Sequence, residues 1–436
     1  MIPRYQGGDW LQVELPTQAA PWLEGKRRSL RKRKSSHGKA SAQLTALLQR
    51  EQWNWPKHPI YFFADPHADA DAMLASLVAS GGVRKTGAED EAFELTGAGR
   101  KARFVVGGDC FDKGPSNLRL LRTLGTLKAR GARLSILAGN HDIRIMLGMR
   151  SAGAKCDLAS EHFFVRMGGK AVPFLKEIHT NYLRGRAAPR DIPSNDECRR
   201  RLYPSKRWFD EFVSLAGMKL SAKAVRRELR RIEVKTARFE ADCQAAGLSL
   251  SMVYAAALKW QELFLHPHGE FHWFFDNMRI AQRRGSFLFI HAGLDDQIAD
   301  LISQDGVRHL NRQFRRQLQG SCFEFYYGSI ANAIRTKYRA VDMPLSRRGV
   351  RAANRSGIHA IIHGHRNLRH GQRIVLRNGL VHFECDITMD RNSRKKEGLR
   401  GHGAGVTVVH PDGWIMGIST DYPQAKMFAP EELVSG

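Results

Sequence analysis

No stretch of this 436-residue chain approaches the roughly 18 uninterrupted apolar residues that a membrane-crossing helix requires, so no membrane span is expected. Cysteine is scarce. The six, Cys110, Cys156, Cys198, Cys243, Cys322 and Cys385, form no C-x-x-C pair, which speaks against both a thiolate zinc site and a disulfide framework. The opening MIPRYQGGDWLQVELP lacks a basic start followed by an apolar run, so no secretory signal is expected and a reduced, cytoplasmic protein fits best. No internal repeat is found. Acids are outnumbered, with 43 Asp and Glu against 69 Lys and Arg, for a formal charge of +26. That field attracts anions, but charge alone does not choose among nucleic acid, phosphorylated ligands, acidic proteins and generally basic solvated faces.

What is present divides the chain in three. Residues 1–50 read as a basic peripheral or flexible arm, with Lys26, Arg27, Arg28 and Arg31 to Lys34 in a polar segment. Such an arm either contacts nucleic acid or only solubilises. From residue 51 to 149, and again from 284 to 436, short apolar runs alternate with helical stretches. IYFFAD (60–65), RFVVGGD (103–109) and LSILAGN (134–140) read as buried strands separated by helices over 69–80 and 118–130, the alternation of an α/β sheet. SFLFIHAG (286–293), HAIIHGH (359–365) and LVHFECD (380–386) continue the series. GVTVVHPDGWIMGIS (405–419) reads as a hairpin turning at Asp412-Gly413. Residues 150–283 carry helical spacing and a dense arginine face, and are expected to form a helical insertion.

Most of these runs end in a candidate metal ligand: Asp65 and His67, Asp109, Asn140, His291, and His365. Ligands at the carboxyl ends of strands converge on one crevice of an α/β sheet. The donors are oxygen and imidazole without thiolate, which suits manganese, iron or zinc rather than a structural zinc site. Any one of these short motifs arises by chance, and it is the ordered set that points to a site. Asp69 and Asp71 are expected to cap and charge a helix start, and Cys110 to fill space.

Asp65-x-His67, Gly108-Asp109-x-x-Asp112-Lys113-Gly114, Gly139-Asn140-His141-Asp142, His291-Ala292-Gly293 and Gly364-His365 resemble the motif series of calcineurin-like metallophosphoesterases. The nearest subset is the serine/threonine phosphoprotein phosphatases and the symmetrical diadenosine tetraphosphatases. The resemblance covers about 59–142 and 286–419. It implies a four-layer α/β sandwich and two divalent or trivalent metal ions. Asp65 and His67 would hold the first ion, Asp109 would bridge, and Asn140, His291 and His365 would complete the second. It also implies that His141 protonates the leaving oxygen or orients the nucleophile, with Asp112 fixing its ring, and that Lys113 and Asn140 contact the substrate phosphate. Lys113 stands where those phosphatases carry an arginine, which exchanges a bidentate fork for a point charge. Asp142 replaces a glutamate. Asn367 stands where diesterases of the superfamily place a further histidine, which favours phosphate monoesters or anhydrides as substrates. The rival is a nuclease or nucleic-acid phosphodiesterase using the basic arm.

Overall fold

The computed structural model describes residues 2–22, 42–153, 157–185, 192–217 and 219–431. Among the described residues the strands are β1 (Ala19–Pro21), β2 (Ile60–Phe63), β3 (Val83–Lys85), β4 (Phe93–Leu95), β5 (Arg103–Val106), β6 (Arg133–Ile136), β7 (Ala281–Arg284), β8 (Phe287–Ile290), β9 (Ala360–His363), β10 (Arg373–Arg377), β11 (Leu380–Glu384), β12 (Gly405–His410), β13 (Trp414–Ser419) and β14 (Ala425–Phe428). They form a seven-stranded sheet ordered β1-β14-β13-β12-β2-β5-β6, a five-stranded sheet ordered β10-β11-β9-β8-β7, and the separate pair β3-β4. β2, β5 and β6 run parallel, as do β8, β9 and β11, while β12 runs antiparallel to β2.

Side chains sort by the two-residue period of a strand. Ile60, Phe62, Val105, Phe289, Ile362 and Phe383 meet between the two sheets, whereas Tyr61, Phe63, Phe104, Leu288 and Ile361 point outward. The outward faces cannot stay in water, so helices cover them. Ala70–Ala79 and Asn117–Ala129 cover the larger sheet, and Asp296–Gln319 and Arg347–Arg355 the smaller. The result is the expected four-layer α/β sandwich with mixed sheets. Asp69 caps Ala70–Ala79 by accepting from Ala72 N at 3.2 Å, and Ser116 caps Asn117–Ala129 by accepting from Arg119 N at 3.1 Å.

Between β6 and β7 the described residues form helices, the longest being Ala222–Ala245 and Leu250–Leu265. Their apolar residues, among them Trp208, Phe239 and Trp260, belong to the same continuous core as the outward face of the larger sheet. One buried ion pair, Arg166 with Glu228, also receives Tyr327 OH at 3.2 Å, tying this region to the helix Cys322–Tyr327. Burial alone would raise the Glu228 carboxyl, but Arg166 and Arg231 outweigh it and hold it at about 2.

Residues 2–22 depart from a free arm. β1 pairs in parallel with β14, and Trp22 packs edge-on to Phe383 at 5.5 Å. Residues 42–50 are helical and bury Leu44 in the inter-sheet core. Apolar groups at these positions find cover at the open edge of the sandwich, which a polar count over the whole segment averages away. The basic runs at 26–28 and 31–34 lie outside the described residues. No helix among the described residues is long and apolar enough to cross a membrane.

Candidate active site

Parallel strands β2, β5, β6, β8 and β9 end on the same side, and the turns that leave them carry the sequence-selected residues. These turns are strained. Asp65, His67, Asp109, Asp112, Lys113 and His365 all take positive φ, between 41° and 69°. Non-glycine residues adopt such angles at a cost of order 1–3 kcal/mol each, and surroundings must hold them there. Two glycines permit the close approach. A Cβ on Gly139 would lie 2.0 Å from Asp109 N, and one on Gly364 would lie 1.8 Å from Asp65 Oδ2.

The side chains fall into two overlapping groups that could hold a metal ion. Asp65, His67 and Asp109 form one, and Asp109, His291 and His365 the other, each with donor atoms within 4.8 Å of one another. Asp109 is common to both, and its Oδ2 lies 3.7 Å from His67 Nε2 and 3.6 Å from His291 Nε2. The outer nitrogens fix the tautomers. His67 Nδ1 lies 3.2 Å from the Phe111 carbonyl and His291 Nδ1 2.8 Å from the Gly107 carbonyl. A carbonyl only accepts, so each Nδ1 carries the proton and each Nε2 presents a lone pair inward. His291 Nε2 then meets an acceptor, Asn140 Oδ1 at 3.3 Å, and lies 3.1 Å from His365 Nδ1. His365 Nε2 is buried with no partner.

Lone pairs converging on lone pairs are unfavourable unless a cation lies between them. One cation already presses on this set: Lys113 Nζ lies 2.6 Å from His67 Nε2. Burial lowers the affinity of His67, His291 and His365 for protons, so the rings are neutral ligands rather than imidazolium ions. Burial and the neighbouring Asp386 and Asp109 carboxylates push Asp65 well above the usual carboxylate range. The donor set therefore fits divalent metal ions.

His141 stands beside the first group, its ring meeting that of His67 edge-on at 4.9 Å. Its Nδ1 lies 2.9 Å from Asp112 Oδ2, the expected orienting contact. Its backbone N donates to Asp109 Oδ1 at 2.8 Å, which fixes the carboxylate common to both groups. Arg144, one turn further along the helix Asn140–Arg150, binds the same Asp112 oxygen and approaches His141 Nδ1 at 2.8 Å. A guanidinium cannot accept, so Asp112 is the shared acceptor of both groups.

Asp142 explains how the strained turn holds. Its carboxylate accepts from the backbone N of Cys110 at 2.7 Å, Asp109 at 2.8 Å, Gly139 at 2.9 Å and Phe111 at 3.3 Å. Burial, with the Asp109 charge, pushes it up to about 7. Asp142→Ala strands four buried N–H groups at about 1 kcal/mol or more each, so a loss on the order of 4 kcal/mol is expected in urea unfolding. A loss below about 1 kcal/mol would show that the turn does not depend on this carboxylate.

The structure brings together every residue singled out at the strand ends. It adds Arg144, Asp386 and the helix Arg391–Lys396, which sequence reading gave no role. Asp386 is buried within electrostatic reach of Asp65, Asp109 and Lys113, and burial raises its carboxyl to about 6. Asn392 donates to the Lys113 carbonyl, and Arg391 pairs with Asp69, so this helix flanks the Lys113 turn. Cys110 is a buried filler and Asp69 a helix cap, as expected. His363 is fully buried, its Nε2 3.3 Å from His382 Nδ1.

No known protein family matches the sequence, and no curated protein does. Among solved structures, a cold-active protein-tyrosine phosphatase of a psychrophilic Shewanella species is 11% identical, with 85% of this chain and 80% of that chain covered at a TM-score of 0.41. A protein serine/threonine phosphatase from Saccharomyces cerevisiae, with similarity to human phosphatase PP5, is 12% identical, with 90% and 86% covered at a TM-score of 0.33. At these scores the likeness is loose, and function is read from the site itself.

Proposed function

We propose that this chain is a metal-dependent phosphatase of the calcineurin-like metallophosphoesterase type, hydrolysing phosphate monoesters or phosphoanhydrides. The observation that carries the reading is the convergence of oxygen and imidazole lone pairs on two adjoining points that share Asp109, with a histidine–carboxylate pair alongside. Asp65, His67 and Asp109 would hold one ion, and Asp109, Asn140, His291 and His365 the other. Such a pair of cations supplies a nucleophile from water at neutral pH and neutralises phosphoryl oxygens as charge develops.

The chain's own groups do the rest. Asp112 holds the His141 ring by Nδ1, and burial lowers the ring to about 4, so Nε2 of the neutral ring takes the proton that the attacking water gives up and passes it to the departing oxygen. Arg144 neutralises Asp112, so the carboxylate orients the ring without adding free negative charge beside a phosphate. Lys113 supplies a positive charge at the first group that can meet a phosphoryl oxygen. Asn140 offers a neutral oxygen, which avoids repelling the substrate.

Monoester preference follows from the shortage of donors at the first group. Asn367, two residues past His365, is exposed, and among the described residues no second imidazole joins Asp65, His67 and Asp109 in that group. An ion there keeps a position for the extra negative oxygen of a monoester, which a diester lacks. The ratio of kcat/KM for p-nitrophenyl phosphate over bis-p-nitrophenyl phosphate is expected well above one. A ratio below one would put the nuclease reading ahead.

A further inference from the structure

The second group of donors needs a brace. His291 Nε2 presents its lone pair to Asn140 Oδ1 at 3.3 Å, and two acceptors at that distance repel each other until a cation lies between them. The four residues after His291 are tied one by one to the segment 332–338. The amides of Ala292 and Gly293 donate to the Ala333 carbonyl at 3.0 and 3.4 Å, and Asn332 Nδ2 donates to Asp295 Oδ2 at 2.7 Å. Between them, the amide of Leu294 donates to the phenol oxygen of Tyr338 at 3.0 Å. The first two ties are backbone to backbone. The Leu294 tie depends on one side chain.

Tyr338 reaches that amide from a strained position. Its φ is 57°, a left-handed backbone that a bulky side chain adopts only where its surroundings impose it. Asp342 imposes it, since its Oδ2 accepts from Lys337 N at 2.8 Å and Arg339 N at 3.0 Å, on either side of Tyr338. The ring lies beneath the Arg377 guanidinium, 4.5 Å from the ring centre, and edge-on to His382 at 5.3 Å. Arg377 is held in turn by Glu384, whose place in β11 pairs with His363 in β9. His363, two residues before His365, meets the Tyr338 ring at 6.4 Å. Gly293 completes the fit. A Cβ there would lie 1.9 Å from the Tyr338 phenol oxygen, so the turn admits the phenol only because residue 293 is glycine. One side chain therefore joins the turn that follows His291 to the strand end that precedes His365.

We infer that Tyr338 is a positioning residue for the second group. Its phenol oxygen sets the turn after His291, and its ring ties that turn to the end of β9, so that the two imidazoles stand ready for one ion. The inference takes the ligand of that group, a metal ion, from the phosphatase reading above.

The test uses the full chain carrying Tyr338→Phe, which keeps the ring and removes the oxygen. In the metal-free protein, amide hydrogen exchange at residues 292–294 is expected to quicken about tenfold or more, because Leu294 N loses its acceptor. In a calorimetric titration with manganese, one ion is expected to bind about tenfold more weakly, the low end for a support behind a ligand, and the other within about twofold of wild type. Turnover at saturating manganese should return close to wild type, a rescue that a damaged fold would not show. Gly293→Ala crowds the same contact from the other side and is expected to weaken the same ion. Tyr5→Phe removes a comparable bond, from the Tyr5 hydroxyl to the Pro16 carbonyl at 2.8 Å, and should leave both ions at wild-type affinity. Unchanged exchange at 292–294, or faster exchange with both ions unaffected, overturns the inference. Equal weakening of both ions also overturns it, because Tyr338 would then support the fold at large. Faster exchange in a protein whose wild type retains no ion would leave the brace standing and remove the metal-dependent phosphatase reading instead.

Discussion

Replacing His141 with alanine is expected to lower kcat for p-nitrophenyl phosphate by about 10²- to 10⁴-fold, the span of a general acid's contribution, while KM and bound metal stay close to wild type. The ring belongs to neither group that could hold an ion. What it does for the Asp109 carboxylate it does through its backbone N, which alanine keeps. The fold should also tolerate the change. Asp112 would otherwise be left as a buried, unpaired carboxylate, but Arg144 remains bound to it. The measurement is steady-state kinetics with metal analysis on the same preparation. A kcat within about threefold of wild type would remove His141 from the chemistry. A loss of metal would make it a ligand or a support rather than a proton donor.

The strand-end residues were legible because two periodicities coincide. Apolar runs such as IYFFAD and SFLFIHAG alternate between the two cores, and each stops where its polar group begins. Parallel pairing of β2, β5 and β6, and of β8 and β9, then turns a linear order of motifs into one edge. Asp142 shows where that reading ends. Its place in the motif was visible, but its work depends on the amides of 109–111, more than thirty residues away, reaching it in space. Arg144 had no signal beyond helical spacing from His141, in a chain with 69 basic residues. β1 was missed because three residues at a sheet edge, Ala19–Pro21, carry no usable period and contain a proline.

Asp109→Asn should empty the site. The carboxylate is the single residue common to both Asp/His groups, with Oδ2 aimed between His67 and His291 and Oδ1 held by His141 N. A carboxamide keeps the size and the Oδ1 contact, yet it replaces one charged donor by a neutral one. If the NH2 takes the Oδ2 place, it faces inward where a cation would bind. Both halves of the centre lose their shared anion at once, so affinity for each ion falls together and activity falls with it. The direct measurement is metal content by elemental analysis of wild type and Asp109→Asn, each loaded with manganese and dialysed side by side. The account predicts two ions per wild-type chain and close to none in the variant, with an unchanged folded spectrum. Equal metal content in the two proteins, or no retained metal in the wild type, would contradict it.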